Sequence, residues 1–152
     1  MAEPRWLNEA EDRAWRGYRR MFLLLNAQVN RDMAQQSGLS EPDYDVLTAL
    51  SEAKDHRCRL KKLAERMLWS QSRLSHHVTR MQQRDLVMRE ECAEDARGAT
   101  VVLTAAGLRS IQAAAPLHVE SVRKHFLDHL TREQIAVIGD ATNAVVTGLQ
   151  ER

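Results

Sequence analysis

Two segments, Arg57-Cys-Arg-Leu-Lys-Lys-Leu-Ala-Glu-Arg66 and Trp69-Ser-Gln-Ser-Arg-Leu-Ser-His-His-Val-Thr-Arg80, decide how this 152-residue chain folds. From Arg57 to Arg84 there are eight Lys or Arg (57, 59, 61, 62, 66, 73, 80 and 84) against one acid, Glu65, although the whole chain carries a formal charge of only +1. Leu60, Leu63, Ala64 and Met67 recur at helical spacing, and Ser70 is suited to cap a second helix with Leu74, Val78 and Met81 on its apolar side. That pattern directs Gln71, Ser72, Arg73, Ser75, His76, Thr79, Arg80 and Gln83 away from the core. An ordinary solvated helix mixes acids into such a face, but this one has hydroxyls, amides and arginines and no acid before Asp85. Arginine forks onto guanine, glutamine onto adenine, and serine or threonine bonds bases or phosphates, so the chemistry suits a DNA major groove.

Leu86–Glu91 and Ala99–Leu103 read as two strands, with Glu94-Asp-Ala-Arg-Gly98 as the turn between them. Gly98 permits the tight return and Arg97 sits at the tip. Helix, helix and hairpin with Asp95-x-Arg97-Gly98, followed by Leu103-Thr104-x-x-Gly107, resemble the winged helix-turn-helix of the MarR (multiple antibiotic resistance regulator) family. The resemblance spans nearly the whole chain, because a long helix before the motif and two after it also match. It implies a mainly α fold with a small β-hairpin wing and a helical dimerisation region built from both termini. It also implies a homodimer that binds a pseudopalindromic operator in double-stranded DNA. By position, the major-groove roles fall on Ser70, Gln71, Ser72, Arg73, Ser75, His76, Thr79 and Arg80, and the minor-groove role falls on Arg97, with Asp95 orienting Arg97 or closing the hairpin. Members of the family commonly bind a small aromatic or phenolic effector, for which Trp15, Arg19, Tyr44 and Trp69 are the candidate lining here. Each of those four side chains equally suits an ordinary core or surface role.

Outside the motif, Trp15, Tyr18, Phe22, Leu25, Val29 and Met33 recur at steps of three and four, predicting one long helix over about 8–36 that ends near Gly38. Ser40-Glu-Pro-Asp43 predicts a capped helix over 42–53, which with helices over 60–67 and 70–83 makes the body of a DNA-reading part at about 42–104. Lys54-Asp-His-Arg57 reads as a polar connector. A helix from Thr104 to about Leu130 carries Pro116, which predicts a kink or break there. Thr131-Arg-Glu-Gln134 predicts a second capping box, opening a helix with Ile135, Ile138, Thr142, Val145 and Leu149 on one face. The segments 8–36 and 105–150 therefore leave apolar stripes that a second copy would cover. Dimerisation also suits DNA, since two related helices read half-sites about one helical turn apart.

The chain is 43% hydrophobic and 28% charged, which fits one single domain with its own core and argues against disorder. The longest apolar run, Met21–Leu25, is too short to span a bilayer, and Met-Ala-Glu-Pro-Arg-Trp6 lacks a signal-peptide core, so a cytoplasmic protein with no membrane partner is expected. Cys58 and Cys92 make neither a disulfide framework nor a zinc motif, though Cys58 lies between Arg57 and Arg59, where a thiolate would be favoured. His118, His125 and His129 follow Pro116, and a spacing of four places the last two on one helical face. A zinc- or redox-responsive regulator of the same fold therefore stands as an alternative, beside a dimeric sensor or protein-binding module without specific DNA reading. Phosphate loops, dinucleotide glycines and an activated nucleophile are absent, so no enzyme, cofactor or resident metal is expected.

Overall fold

The computed structural model describes residues 3–91 and 98–151. Six helices and three strands follow in the order α1 (Glu9–Ser37), α2 (Glu41–Glu52), β1 (Arg57–Arg59), α3 (Leu60–Met67), α4 (Gln71–Gln83), β2 (Val87–Glu91), β3 (Ala99–Leu103), α5 (Ala105–His125) and α6 (Arg132–Gln150) among the described residues. The elements form a mainly helical winged helix-turn-helix with a small antiparallel sheet. They group into two units, residues 32–118 and residues 1–31 with 119–152.

In the unit of residues 32–118, Val46, Leu47 and Leu50 from α2, Leu63 from α3, Leu74, Val78 and Met81 from α4, and Val87 and Val101 from the sheet are almost wholly buried. Three short helices and a sheet each supply one apolar side to a shared core, as layered domains require. Strong caps set the helix starts. Ser40 Oγ accepts from the Asp43 N–H at 3.2 Å while Asp43 Oδ2 accepts from the Ser40 N–H at 3.0 Å, and Ser70 Oγ accepts from the Arg73 N–H at 3.1 Å. Gly38 ends α1 with φ 69°, the left-handed conformation that glycine adopts without strain.

The Lys54–Arg57 connector is where the sequence reading falls short. Arg57–Arg59 is a third strand, pairing antiparallel with β3 in the register Cys58 to Val101, so the sheet order is β1-β3-β2. Three residues are too few for alternation to register as a strand, and their pairing partner lies more than forty positions away.

Gly107, four residues beyond β3, packs where a Cβ would strike the Leu86 carbonyl oxygen and crowd Leu103. Thr104 Oγ1 donates to the Leu86 carbonyl at 3.0 Å and accepts from the Gly107 N–H at 2.9 Å. The Leu-Thr-x-x-Gly spacing is thus the joint that fastens α5 to the start of the hairpin.

The helix α5 passes through Pro116 without the predicted break and ends at His125, short of Leu130. Pro116 and Gln112 are both exposed, so the carbonyl that proline leaves unpartnered can turn to water. A 3-10 turn at Leu127–His129 follows, so His125 and His129 do not share a helical face as their spacing suggested. Among the described residues, no group of three His, Cys, Asp or Glu is placed to hold a metal ion.

The second unit contrasts with the first. The Thr131 and Gln134 capping box forms as predicted, and α6 follows from Arg132. Yet Trp15, Tyr18, Phe22, Leu23, Leu24, Val137, Val145 and Leu149 all lie about half exposed or more, and Ser121 is the single buried side chain among the described residues of this unit. Trp15, Tyr18 and Phe22 form a ladder of rings at 5.9 and 6.2 Å. No helix among the described residues is long and apolar enough to cross a membrane.

Candidate nucleic-acid interface

The helix α4 turns Leu74, His77, Val78 and Met81 inward, and that choice determines which side chains remain outside. Ser70, Gln71, Ser72, Arg73, His76, Thr79, Arg80 and Gln83 are exposed, while Ser75 is half-buried. On a helical wheel the side opposite the core is centred on Ser72, His76, Thr79 and Gln83, with Gln71 and Ser75 on one flank and Arg73 and Arg80 on the other. The exposed face carries no carboxylate along the whole of α4.

Each flank is gripped by a neighbouring element. On one side Arg89 of β2 donates through Nη2 to the Ser75 carbonyl at 2.8 Å, the Ser75 hydroxyl at 3.2 Å and the Thr79 hydroxyl at 3.4 Å. Arg89 was not singled out by the sequence, where it is one charge in a charged strand. Its contacts engage Ser75 and Thr79 as ties between helix and sheet.

On the other side Arg73 stacks over the Trp69 ring, its guanidinium carbon 3.7 Å from the centroid, and the His77 ring meets Trp69 edge-on at 5.6 Å. Arg80 approaches His77 Nδ1 at 3.3 Å, which makes Nδ1 the acceptor and Nε2 the protonated nitrogen, because arginine only donates. His77 Nε2 lies 3.0 Å from Asp43 Oδ1, close enough for strong attraction although poorly aligned for a hydrogen bond. Arg84 donates to Asp43 Oδ2 at 2.7 Å and to the Gly38 carbonyl at 2.9 Å. Burial pushes the Asp43 carboxyl upward, but His77, Arg84 and the Ser40 N–H outweigh it and hold the group well below the usual carboxylate range.

Between these groups lies an open cleft of about 600 Å³, lined in part by Trp69, Arg73, His77, Arg80 and Arg84. Of the predicted effector residues, Trp69 lines this cleft and Tyr44 does not; Tyr44 instead packs on His118 with ring centroids 4.5 Å apart. Trp15 belongs to the other unit, where Arg19 lies over its ring at 5.9 Å. Within the unit of residues 32–118, Tyr44 and Trp69 therefore belong to different aromatic groupings. Asp95 and Arg97, predicted for the wing, lie outside the described residues, as does Cys92, while Gly98 leads directly into β3. Cys58 is half-buried on β1 with its thiol 3.5 Å from the Arg59 carbonyl.

A sequence profile of the MarR family matches residues 37–98, the span from the end of α1 to the start of β3. The crystal structure of AbsC, a MarR family transcriptional regulator from Streptomyces coelicolor, is similar over 98% of this chain and 100% of its own, with 40% identity and a TM-score of 0.89. The chain belongs to the MarR family. A second regulator of the family from Streptomyces coelicolor, Sco3205, solved in complex with DNA, shares 36% identity with a TM-score of 0.91 over 99% of this chain and 94% of its own. The transcriptional regulator HosA of Escherichia coli is 29% identical over 123 residues, covering 81% of this chain and 87% of HosA. This MarR-family chain is accordingly a transcriptional regulator, and the winged helix-turn-helix read from its motif is the fold it adopts.

Proposed function

We propose that this MarR-family regulator is a homodimeric repressor that reads a pseudopalindromic operator with α4 and is released from it by a small aromatic or phenolic anion. The observation that carries the reading is the exposed, acid-free face of α4. Ser72, His76 and Gln83 are the side chains directed furthest from the core and are free to meet base edges. Gln71 at the helix start joins them, Ser70, Arg73 and Arg80 hold phosphates or flanking bases, and Arg97 enters the minor groove beside the site. Ser75 and Thr79 support the face through Arg89. Dimerisation rests on the exposed apolar sides of α1 and α6, which a second copy would cover. The effector reading rests on the cleft beside Trp69, where an aromatic face meets three arginines, a pairing suited to an aromatic carboxylate.

A gel shift with DNA from upstream of the chain's own gene tests the central reading. Specific binding at nanomolar concentration is expected, and micromolar binding that ignores sequence would count against it. Replacing Gln83 or His76 should relax base preference, whereas Arg97→Ala should weaken binding to all sequences alike and reduce the salt slope by about one. Salicylate serves as the effector probe: it should quench Trp69 fluorescence and lower operator affinity together.

A further inference from the structure

Apolar packing holds α4 against the core, but being nondirectional it fixes the helix's angle less finely than hydrogen bonds do. Rotation matters here, because turning a rod of side-chain radius about 5 Å by about 20° carries each outward group about 2 Å, beyond what a hydrogen bond to a base edge accepts. Directional contacts set the angle: Arg89 ties one flank of α4 through Ser75 and Thr79, and Asp43 ties the other. Asp43 is 3% exposed, and its two oxygens meet His77 at 3.0 Å and Arg84 at 2.7 Å. His77 lies within α4 and Arg84 is its C-cap residue seven positions on, so the carboxylate gathers side chains rooted about 10 Å apart along the axis. Its own place is fixed in turn, by the Ser40 N–H at the start of α2. The tie continues outward: His77 accepts from Arg80 and abuts Trp69, on which Arg73 stacks. Being buried and negative, Asp43 cannot touch DNA, so any effect on DNA reading acts through these partners.

We propose that Asp43 is the positioning residue of the reading helix, a buried carboxylate of α2 that sets the rotation of α4 by holding His77 and Arg84. The proposal rests on the assignment of α4 as the reading element.

The test uses the duplex that the wild-type full-length protein enriches from a random DNA pool, alongside a scrambled duplex. Asp43→Ala is expected to lower the ratio of selected to scrambled affinity about tenfold, the size of one mismatched base pair, with scrambled-site affinity and the salt slope unchanged. Should that variant fail to fold, Arg84→Gln removes the outer partner and is expected to reduce the same ratio severalfold at constant salt slope. If Arg84 were only a phosphate ligand, both affinities would fall together and the slope would drop by about one, which overturns the proposal. A variant that melts lower yet discriminates as well as the wild type also overturns it, leaving Asp43 a stability residue and the DNA reading intact. If the wild type enriches no sequence, the reading of α4 fails and the proposal fails with it.

Discussion

The two units are built from similar helical patterns, yet one hides its apolar side chains and the other displays them. In residues 32–118 the spacing of Val46, Leu47, Leu50, Leu63, Leu74, Val78 and Met81 ends in near-zero exposure. In the other unit the same kind of spacing along α1 and α6 ends with Phe22 at 51% and Leu149 at 67%. Periodicity therefore reports which face of a helix is apolar, and says nothing about whether the same chain covers it. The contrast also separates two kinds of work: the first unit is stabilised by its own contacts, and the second offers a surface.

The sharpest way to break the comparison is to put a charge on the uncovered face. In the proposed homodimer, Val145→Asp should leave the helical content and the core of residues 32–118 intact while halving the mass found by light scattering. Affinity for the selected duplex should fall by about a hundredfold or more, because two linked reading heads lose their avidity. A variant that stays dimeric would mean that this face serves some other purpose.

Within the first unit the greatest cost should come at its tightest joint. Gly107→Ala drives a methyl against the Leu86 carbonyl and should lower unfolding free energy by about 4 kcal/mol in urea titration. The same change at Gly139 of α6, where a Cβ meets nothing within 4 Å, should be neutral or stabilising.

Asp43→Ala should cost about 2 kcal/mol at neutral pH, since it leaves the buried His77 N–H and the partly exposed Arg84 guanidinium without their acceptor. The Asp43 carboxyl is held well below its ordinary range in the folded protein, so its contribution is present above the unfolded pKa and is lost as pH falls through the folded one. The gap between wild type and variant should therefore be full at pH 7 and shrink progressively below about pH 4, measured by urea midpoints at each pH. A gap that keeps its full neutral-pH size down to about pH 2 would assign the loss to packing.

The mildest comparison pits two capping boxes against each other. Ser40→Ala should cost about 1 kcal/mol, whereas Thr131→Ala, whose box is exposed, should cost about 0.5 kcal/mol. Equal losses would show that the cap is worth the same wherever it stands.

Much of this molecule was legible in its residues because the signals are local. The Ser40 and Asp43 box, the Ser70 cap, the apolar steps through Leu74, Val78 and Met81 and the Leu103-Thr104-x-x-Gly107 joint all act within a few positions, and the six helices and the two hairpin strands begin within a residue or two of where they were expected. The acid-free outer face of α4 was legible for the same reason. What sequence alone could not supply were partners distant along the chain. Cys58 finds Val101 in a third strand, Asp43 finds Arg84 forty-one positions on, and Arg89 reaches back to Ser75 and Thr79. Helix periods and caps are set by backbone geometry that repeats every few residues, so they survive in a one-dimensional reading. The angle at which a helix is held, and the division of its outward side chains between support and free surface, depend on which distant groups the completed fold brings within about 3 Å, and only the tertiary structure decides that.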